Sequence, residues 1–177
     1  MTASRPKVLL VCNQRVRDTY MMASDIERLD AFAEWEWLAC EGGDVFGPNE
    51  DPAAVAKLLE RVGDFEGIVV CHGAPLISKD VLDRATRLRI VGELEGDRFA
   101  YRIDLESAWD RDVRAVETTN AWSYPVAEWA LGLILISLRN AGAHFRRIIA
   151  GGGFLVAYDD PGYVHGELDG KRVGLIG

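Results

Sequence analysis

The chain has 177 residues, 49% hydrophobic and 27% charged, with a formal net charge of −8. That is globular composition with apolar material for one full core and part of a second. An acid excess without a basic stripe argues against a nucleic-acid or anionic-membrane binder, and Cys12, Cys40 and Cys71, without C-x-x-C spacing, argue against a disulfide framework or a zinc site.

Residues 1–10 lack the apolar core of a signal peptide, so reduced, buried thiols in a cytoplasmic protein are expected. Residues 7–12, KVLLVC, form an apolar run suited to a strand covered on both faces. Residues 13–18 read as a polar turn and 21–32 as a helix. Residues 34–39, EWEWLA, alternate as a strand with one polar face does. Asp51-Pro52 is a helix start, an N-cap acid followed by proline at the first helical position. Ala54, Val55, Leu58, Leu59 and Val62 fall on one face of that helix.

Residues 67–71 read as a third strand, with the turn His72-Gly73-Ala74-Pro75 at its end. Ser78 can cap a short helix. Strands are expected over 88–91 and 113–117, with a short helix over 103–109 between them. Strand–helix alternation with short links specifies an α/β fold, a mostly parallel sheet with helices on both faces.

The pattern then changes. Ser123-Tyr124-Pro125 is expected to open a long helix reaching about residue 149, with Ser123 as its cap and Gly151-Gly152-Gly153 as its end. Its run 126–138 is apolar nearly all round but shorter than the about 20 residues that span a bilayer. It reads as a buried or interface helix, covered by a second domain or another subunit. Residues 154–167 look irregular. Residues 167–177, ELDGKRVGLIG, read as a charged turn and a strand ending on glycine. So begins a dinucleotide-binding βαβ unit, with Gly177 as the first glycine of G-x-G-x-x-G.

Three segments carry a resemblance to a known family. IDLESA at 103–108 looks like I-D-L-x-x-A, VAEWALGL at 126–133 like V-A-E-x-x-L-G-L, and LDGKRVGLIG at 168–177 like L-x-G-K-x-V-G-x-x-G. In this order and spacing, residues 66–177 resemble the N-terminal half of the NAD-dependent D-2-hydroxyacid dehydrogenases. The resemblance implies a flavodoxin-like substrate-binding domain over 1–120 and a linking and dimerisation helix over 121–153. Residues 154–177 would begin an NAD-binding Rossmann domain, cut after one strand. The family's catalytic arginine, glutamate and histidine would lie beyond residue 177, so no residue here is assigned a catalytic role. The intact parent would interconvert a D-2-hydroxy acid and a 2-keto acid with NAD or NADP. The chain alone would hold no cofactor, be inactive and form a homodimer through 123–149.

Ligands of open α/β sheets bind beyond the carboxyl ends of the strands. Three turns there supply the candidates. His72, Gly73 and Ala74 line the first, where glycine lets backbone amides approach a carboxylate. Adjacent Cys71 and His72 point to opposite faces of a strand and cannot pair as nucleophile and base. Glu95-Gly96-Asp97-Arg98 is the second, with Gly96, Asp97 and Arg98 as its candidates; it keeps one glycine of a G-x-G the family uses for the substrate carboxylate. Arg98 and Arg102 either bind an acidic substrate or pair with Asp97 and Glu95. The third turn carries Trp122 as a substrate contact and Ser123 as a cofactor contact beside its capping role. Gly174 and Gly177 are the cofactor candidates of the last strand. No metal ligand set is expected. His144 and His165 read as surface or interface residues. The alternative to an enzyme portion is a stand-alone dimerisation or ligand-binding module. A phospho-acceptor receiver is disfavoured, since its acidic cluster is missing from strand ends Cys12-Asn13 and Cys71-His72.

Overall fold

The computed structural model describes residues 4–96, 99–153 and 166–176, excepting the side chains of Phe99 and Ala100. Asp97, Arg98, His165, Gly177 and the irregular stretch as far as residue 165 lie outside the described residues. The chain divides into two units, Met1–Ala121 and Trp122–Gly177.

The first unit is built on five parallel strands, β1 (Lys7–Cys12), β2 (Glu34–Ala39), β3 (Gly67–Val70), β4 (Ile90–Glu93) and β5 (Arg114–Glu117). They are ordered β2-β1-β3-β4-β5, the flavodoxin-like arrangement. Central position explains composition. In β1, Leu9, Leu10, Val11 and Cys12 are all buried, because helices cover both faces. Edge strand β2 keeps exposed Glu34 and Glu36 in alternation with its tryptophans.

The helices of this unit are α1 (Gln14–Thr19), α2 (Ala23–Phe32), α3 (Pro52–Arg61), α4 (Lys79–Arg84), α5 (Phe99–Arg102) and α6 (Leu105–Trp109). Asp51 accepts from the Ala53 amide and Ser78 from the Val81 amide, so both expected caps form. Helix α1 replaces the expected polar turn, because Asn13 accepts from the Val16 amide and caps a helix whose one buried residue is Val16. Val62 stays buried but sits in a 3-10 turn, Val62–Asp64. Strand β4 starts two residues late, since the Leu88 amide is spent on the Ala85 carbonyl. Helix α6 also starts late. Asp104 caps it, and Ile103 instead forms a parallel bridge with Ile77. The core gathers Leu9, Val11, Leu58, Ile68, Val70, Ile77, Val81, Val91 and Ile103 between sheet and helices.

Two helices dominate the second unit, α7 (Thr119–Leu138, whose first turn lies in the first unit) and α8 (Ala141–Ile149). The single helix expected over 123–149 is therefore two. Asn140 adopts the left-handed region, φ 47°, and breaks it. The start also moves: the helix begins at Thr119, so Ser123 is not its cap and Pro125 lies inside it. At 20 residues α7 is long and apolar enough, by length and composition alone, to cross a membrane. None of its residues is buried, nor any of α8. Gly151, φ 81°, ends α8 as expected. Residues 171–176 carry no strand, and Leu175 and Ile176 are exposed. A strand exists only through hydrogen bonds to a neighbour, and the five paired strands all belong to the first unit.

Candidate functional site

The carboxyl ends of β1, β3 and β4 converge in the first unit. The Asn13 amide donates to the His72 carbonyl (2.8 Å), and the Ala74 amide closes the turn on the Cys71 carbonyl (2.9 Å). Gly73 holds φ 89° in that turn, and a β-carbon there would strike the Cys40 carbonyl and lie 3.0 Å from the Asn13 nitrogen. Only glycine satisfies both demands. Buried Asn49 fixes the turn from the other side. Its Nδ2 donates to the Glu41 carbonyl (2.8 Å) and the Gly73 carbonyl (3.0 Å), and its backbone amide donates to the Ala74 carbonyl (2.9 Å).

The end of β4 brings two carboxylates. Glu93 is fully buried against the equally buried Arg102, with Nη1 3.2 Å from Oε2. Arg102 Nη2 donates to the Asp44 carbonyl (3.2 Å) and the Val45 carbonyl (2.7 Å). Burial pushes the Glu93 carboxyl up to about 7, against the opposing pull of Arg102. Arg102 is thus closed to solvent and paired with Glu93, a carboxylate the sequence reading does not offer it. Glu95 lies against His72, Oε2 to Nε2 at 2.7 Å. The Tyr20 ring stands edge-on to the His72 imidazole, with centroids 5.8 Å apart. The Tyr20 phenol is raised first by burial and then by the Glu95 carboxylate.

Gly96 follows directly. A β-carbon on it would lie 2.5 Å from the Thr119 Cα, so a side chain is excluded where α7 starts. The Thr118 hydroxyl donates to the Leu94 carbonyl (2.6 Å) and seats the same junction.

His72, Gly73, Ala74 and Gly96 therefore lie along one edge. Trp122 and Ser123 belong to the second unit, on α7, and Trp122 is exposed. Gly174 has no atom within 4 Å of its would-be β-carbon. Tyr20, Asn49 and Glu95 were not singled out as site residues from the sequence. Glu95 stands in the turn already of interest; Tyr20 and Asn49 carry no local signal.

The chemistry at this edge is recognition rather than thiol attack. Cys12, Cys40 and Cys71 are buried and unbridged. Burial pushes the Cys12 thiol up to about 11 and the Cys71 thiol up to about 12, so neither is a thiolate at neutral pH. Among the described residues no cluster of three or more His, Cys, Asp or Glu side chains is placed to hold a metal ion. A cleft of about 410 Å³ opens at the opposite, amino end of the sheet, lined by Glu66, Arg87, Arg89 and Arg111. Its arginines Arg87 and Arg111 are paired with Glu66 and Asp83. The carboxyl edge is the better candidate, because strand ends and glycine turns there present backbone amides to a ligand.

No protein-family model matches the sequence. D-3-phosphoglycerate dehydrogenase of Methanocaldococcus jannaschii is 30% identical over 121 residues, 68% of this chain and 22% of its own. Formate dehydrogenase of Pichia angusta is 26% identical across 97% of this chain and 47% of its own length. Among solved structures, a phosphoglycerate oxidoreductase from Rhizobium etli superposes with a TM-score of 0.64 at 20% identity. That match covers 93% of this chain and 45% of the other, and it speaks to the fold. The chain spans less than half the length of these proteins.

Proposed function

From a chain related to the D-isomer-specific 2-hydroxyacid dehydrogenase family, we propose a specific role: the substrate-domain portion of an oxidoreductase that interconverts a D-2-hydroxy acid and a 2-keto acid. The observation that carries this reading is the carboxyl edge of the sheet, where Gly73 and Gly96 open two turns at adjacent strand ends in a chain 30% identical to a dehydrogenase. Glycine amides there can receive the substrate carboxylate, with His72 and Ala74 alongside and Asp97, Arg98 and Trp122 as further contacts. NAD(H) or NADP(H) would carry the hydride leaving C2, with Ser123, Gly174 and Gly177 as its contacts in this chain. The proton leaving the hydroxyl needs a base, and the resemblance puts that base beyond the matched segment.

On this reading the 177-residue chain alone does not turn over substrate. It works in the cytoplasm on a small-molecule acid and pairs as a homodimer through the 123–149 region. That region presents Trp129, Leu131, Leu133 and Ile136 without covering them.

Three measurements test the reading. Titrating 2-hydroxy acids into the isotope-labelled chain should shift amides at residues 72–74 and 94–96 first, and shifts confined to other residues overturn the site. Mixing the chain with NADH and glyoxylate or pyruvate should leave absorbance at 340 nm unchanged. Steady consumption above background overturns the claim of inactivity. Sedimentation at rising concentration reports the homodimer, and a monomer throughout removes it.

A further inference from the structure

Resting on that reading of the carboxyl edge, we propose that Asn49 is a positioning residue. It fastens the peptides that follow Gly73, so that the Gly73 amide is held as a donor for the carboxylate of a 2-hydroxy acid.

Residues 71–74 form a four-residue turn, closed from the Ala74 amide to the Cys71 carbonyl, with positive φ only at its third residue. The His72 carbonyl and the Gly73 amide belong to one planar trans peptide, so they point in opposite directions. The carbonyl faces the Asn13 amide at the start of α1, and the Gly73 N–H therefore faces away from that helix. Gly73 is buried, and its N–H has no hydrogen-bond partner among the described residues. Orphaned buried amides are rare, and this one sits at the strand ends where ligands of open α/β sheets bind. His72, one residue earlier, keeps contact with solvent, so the edge is not sealed.

Asn49 governs that amide from the far side of the turn. Asparagine is mostly a surface residue, yet Asn49 is 3% exposed and both polar atoms of its side chain are engaged. Nδ2 donates to the Glu41 and Gly73 carbonyls, and Oδ1 accepts from the Asp51 amide (3.0 Å). Its backbone amide takes the Ala74 carbonyl. The peptides on both sides of Gly73 are thereby fastened, the earlier one by Asn13 and the later two by Asn49. A glycine with free neighbours takes either sign of φ; one fastened on both sides keeps one, and its N–H keeps one direction. Asn49 is itself held in place. Asp51 caps α3, and a β-carbon on Gly43 would lie 3.1 Å from the Asn49 Cα. The position asks for N–H donors and an acceptor on one short side chain: aspartate has only acceptors when ionised, and leucine has neither.

The probe is D-lactate, titrated into the whole isotope-labelled 177-residue chain, with D-lactamide, which lacks the carboxylate, beside it. D-lactate should move the Gly73 amide proton downfield at saturation, as a charge-assisted hydrogen bond does, and D-lactamide should leave it in place. Asn49→Ala and the similar-sized Asn49→Leu should each weaken D-lactate binding about tenfold, the worth of a hydrogen bond to a charged group, and shrink the saturating Gly73 shift. Leu58→Ala, a core truncation that removes no hydrogen bond of the turn, should bind D-lactate as the unchanged chain does and so separates positioning from loss of stability. Normal affinity with a full Gly73 shift in a folded Asn49 variant overturns the inference. So does an unchanged chain in which D-lactate moves amides at residues 94–96 and leaves Gly73 still, a result that requires no variant to fold and leaves the substrate-domain reading intact. If D-lactate moves no amide of this edge, that reading itself fails.

Discussion

The two units of this chain bury their apolar residues very differently. Among the described residues, every buried hydrophobic side chain lies at or before Val113. The first unit therefore closes its core with its own sheet and helices. The second is richer in leucine, isoleucine and tryptophan along α7, yet leaves Trp129, Leu131, Leu133 and Ile136 open. Apolar content does not make a core; a core needs elements that face each other, and a parallel sheet with crossover helices supplies them. A helix that is apolar all round has no preferred side to bury and waits on a partner.

The sharpest way to test the contrast is to remove a charge from inside the first unit. Arg102→Met leaves Glu93 buried without its partner and should cost about 3–5 kcal/mol in urea unfolding. A loss below about 1 kcal/mol would show that the interior of this unit is wetter than its burial implies. Next in size is Leu58→Ala on α3, fully buried, expected to cost about 2–5 kcal/mol. The same truncation at Leu131 on α7, about half exposed, should change stability by under about 0.5 kcal/mol. Equal losses at both positions would erase the difference between the units. Gly73→Ala comes third, at about 1–3 kcal/mol, from its left-handed backbone and the approach of the Cys40 carbonyl; a variant with unchanged melting temperature would contradict that account.

A different readout is a pH slope. The Glu93 carboxyl is raised from 4.5 to about 7 by burial, against the pull of Arg102. The folded state therefore holds this proton more tightly than the unfolded chain does. Its contribution is complete below about 4.5 and is lost as pH rises through about 7. Stability of the first unit should fall across that window relative to a Glu93→Gln variant. Parallel curves for the two proteins would place Glu93 in an ordinary solvated setting. The second unit has no such buried carboxylate among its described residues, so it should contribute nothing to the slope.

What the sequence disclosed tracks how local each cause is. Strands β1 and β2 and the caps Asp51 and Ser78 are legible because composition and neighbouring residues settle them. The start of α7 is not. Pro125 reads as a first-turn proline, but the junction is set at a distance, by the Thr118 hydroxyl on Leu94 and by the room that Gly96 leaves for Thr119. Asn13 misleads in the same way, since asparagine serves both turns and caps and the buried Val16 decides between them. At the site, Gly73 and Gly96 are readable as glycines in turns. The Tyr20–His72–Glu95 grouping joins three elements and leaves no trace in any one of them. Residues 171–176 show the converse: a persuasive strand pattern with no strand, because pairing is not a property of one segment.

Arg102 has a further consequence, for how this molecule can vary. Its guanidinium holds the segment after β2 by the carbonyl oxygens of residues 44 and 45, groups that almost any amino acid would present. Asn49 likewise grips the carbonyls of Glu41 and Gly73. The course of that segment is thereby set largely by its own backbone carbonyls, with the Asp44 carboxylate adding one local bond from the Phe46 amide. Substitutions at Val45 or Phe46 can change what the rim offers a ligand without redrawing the rim itself.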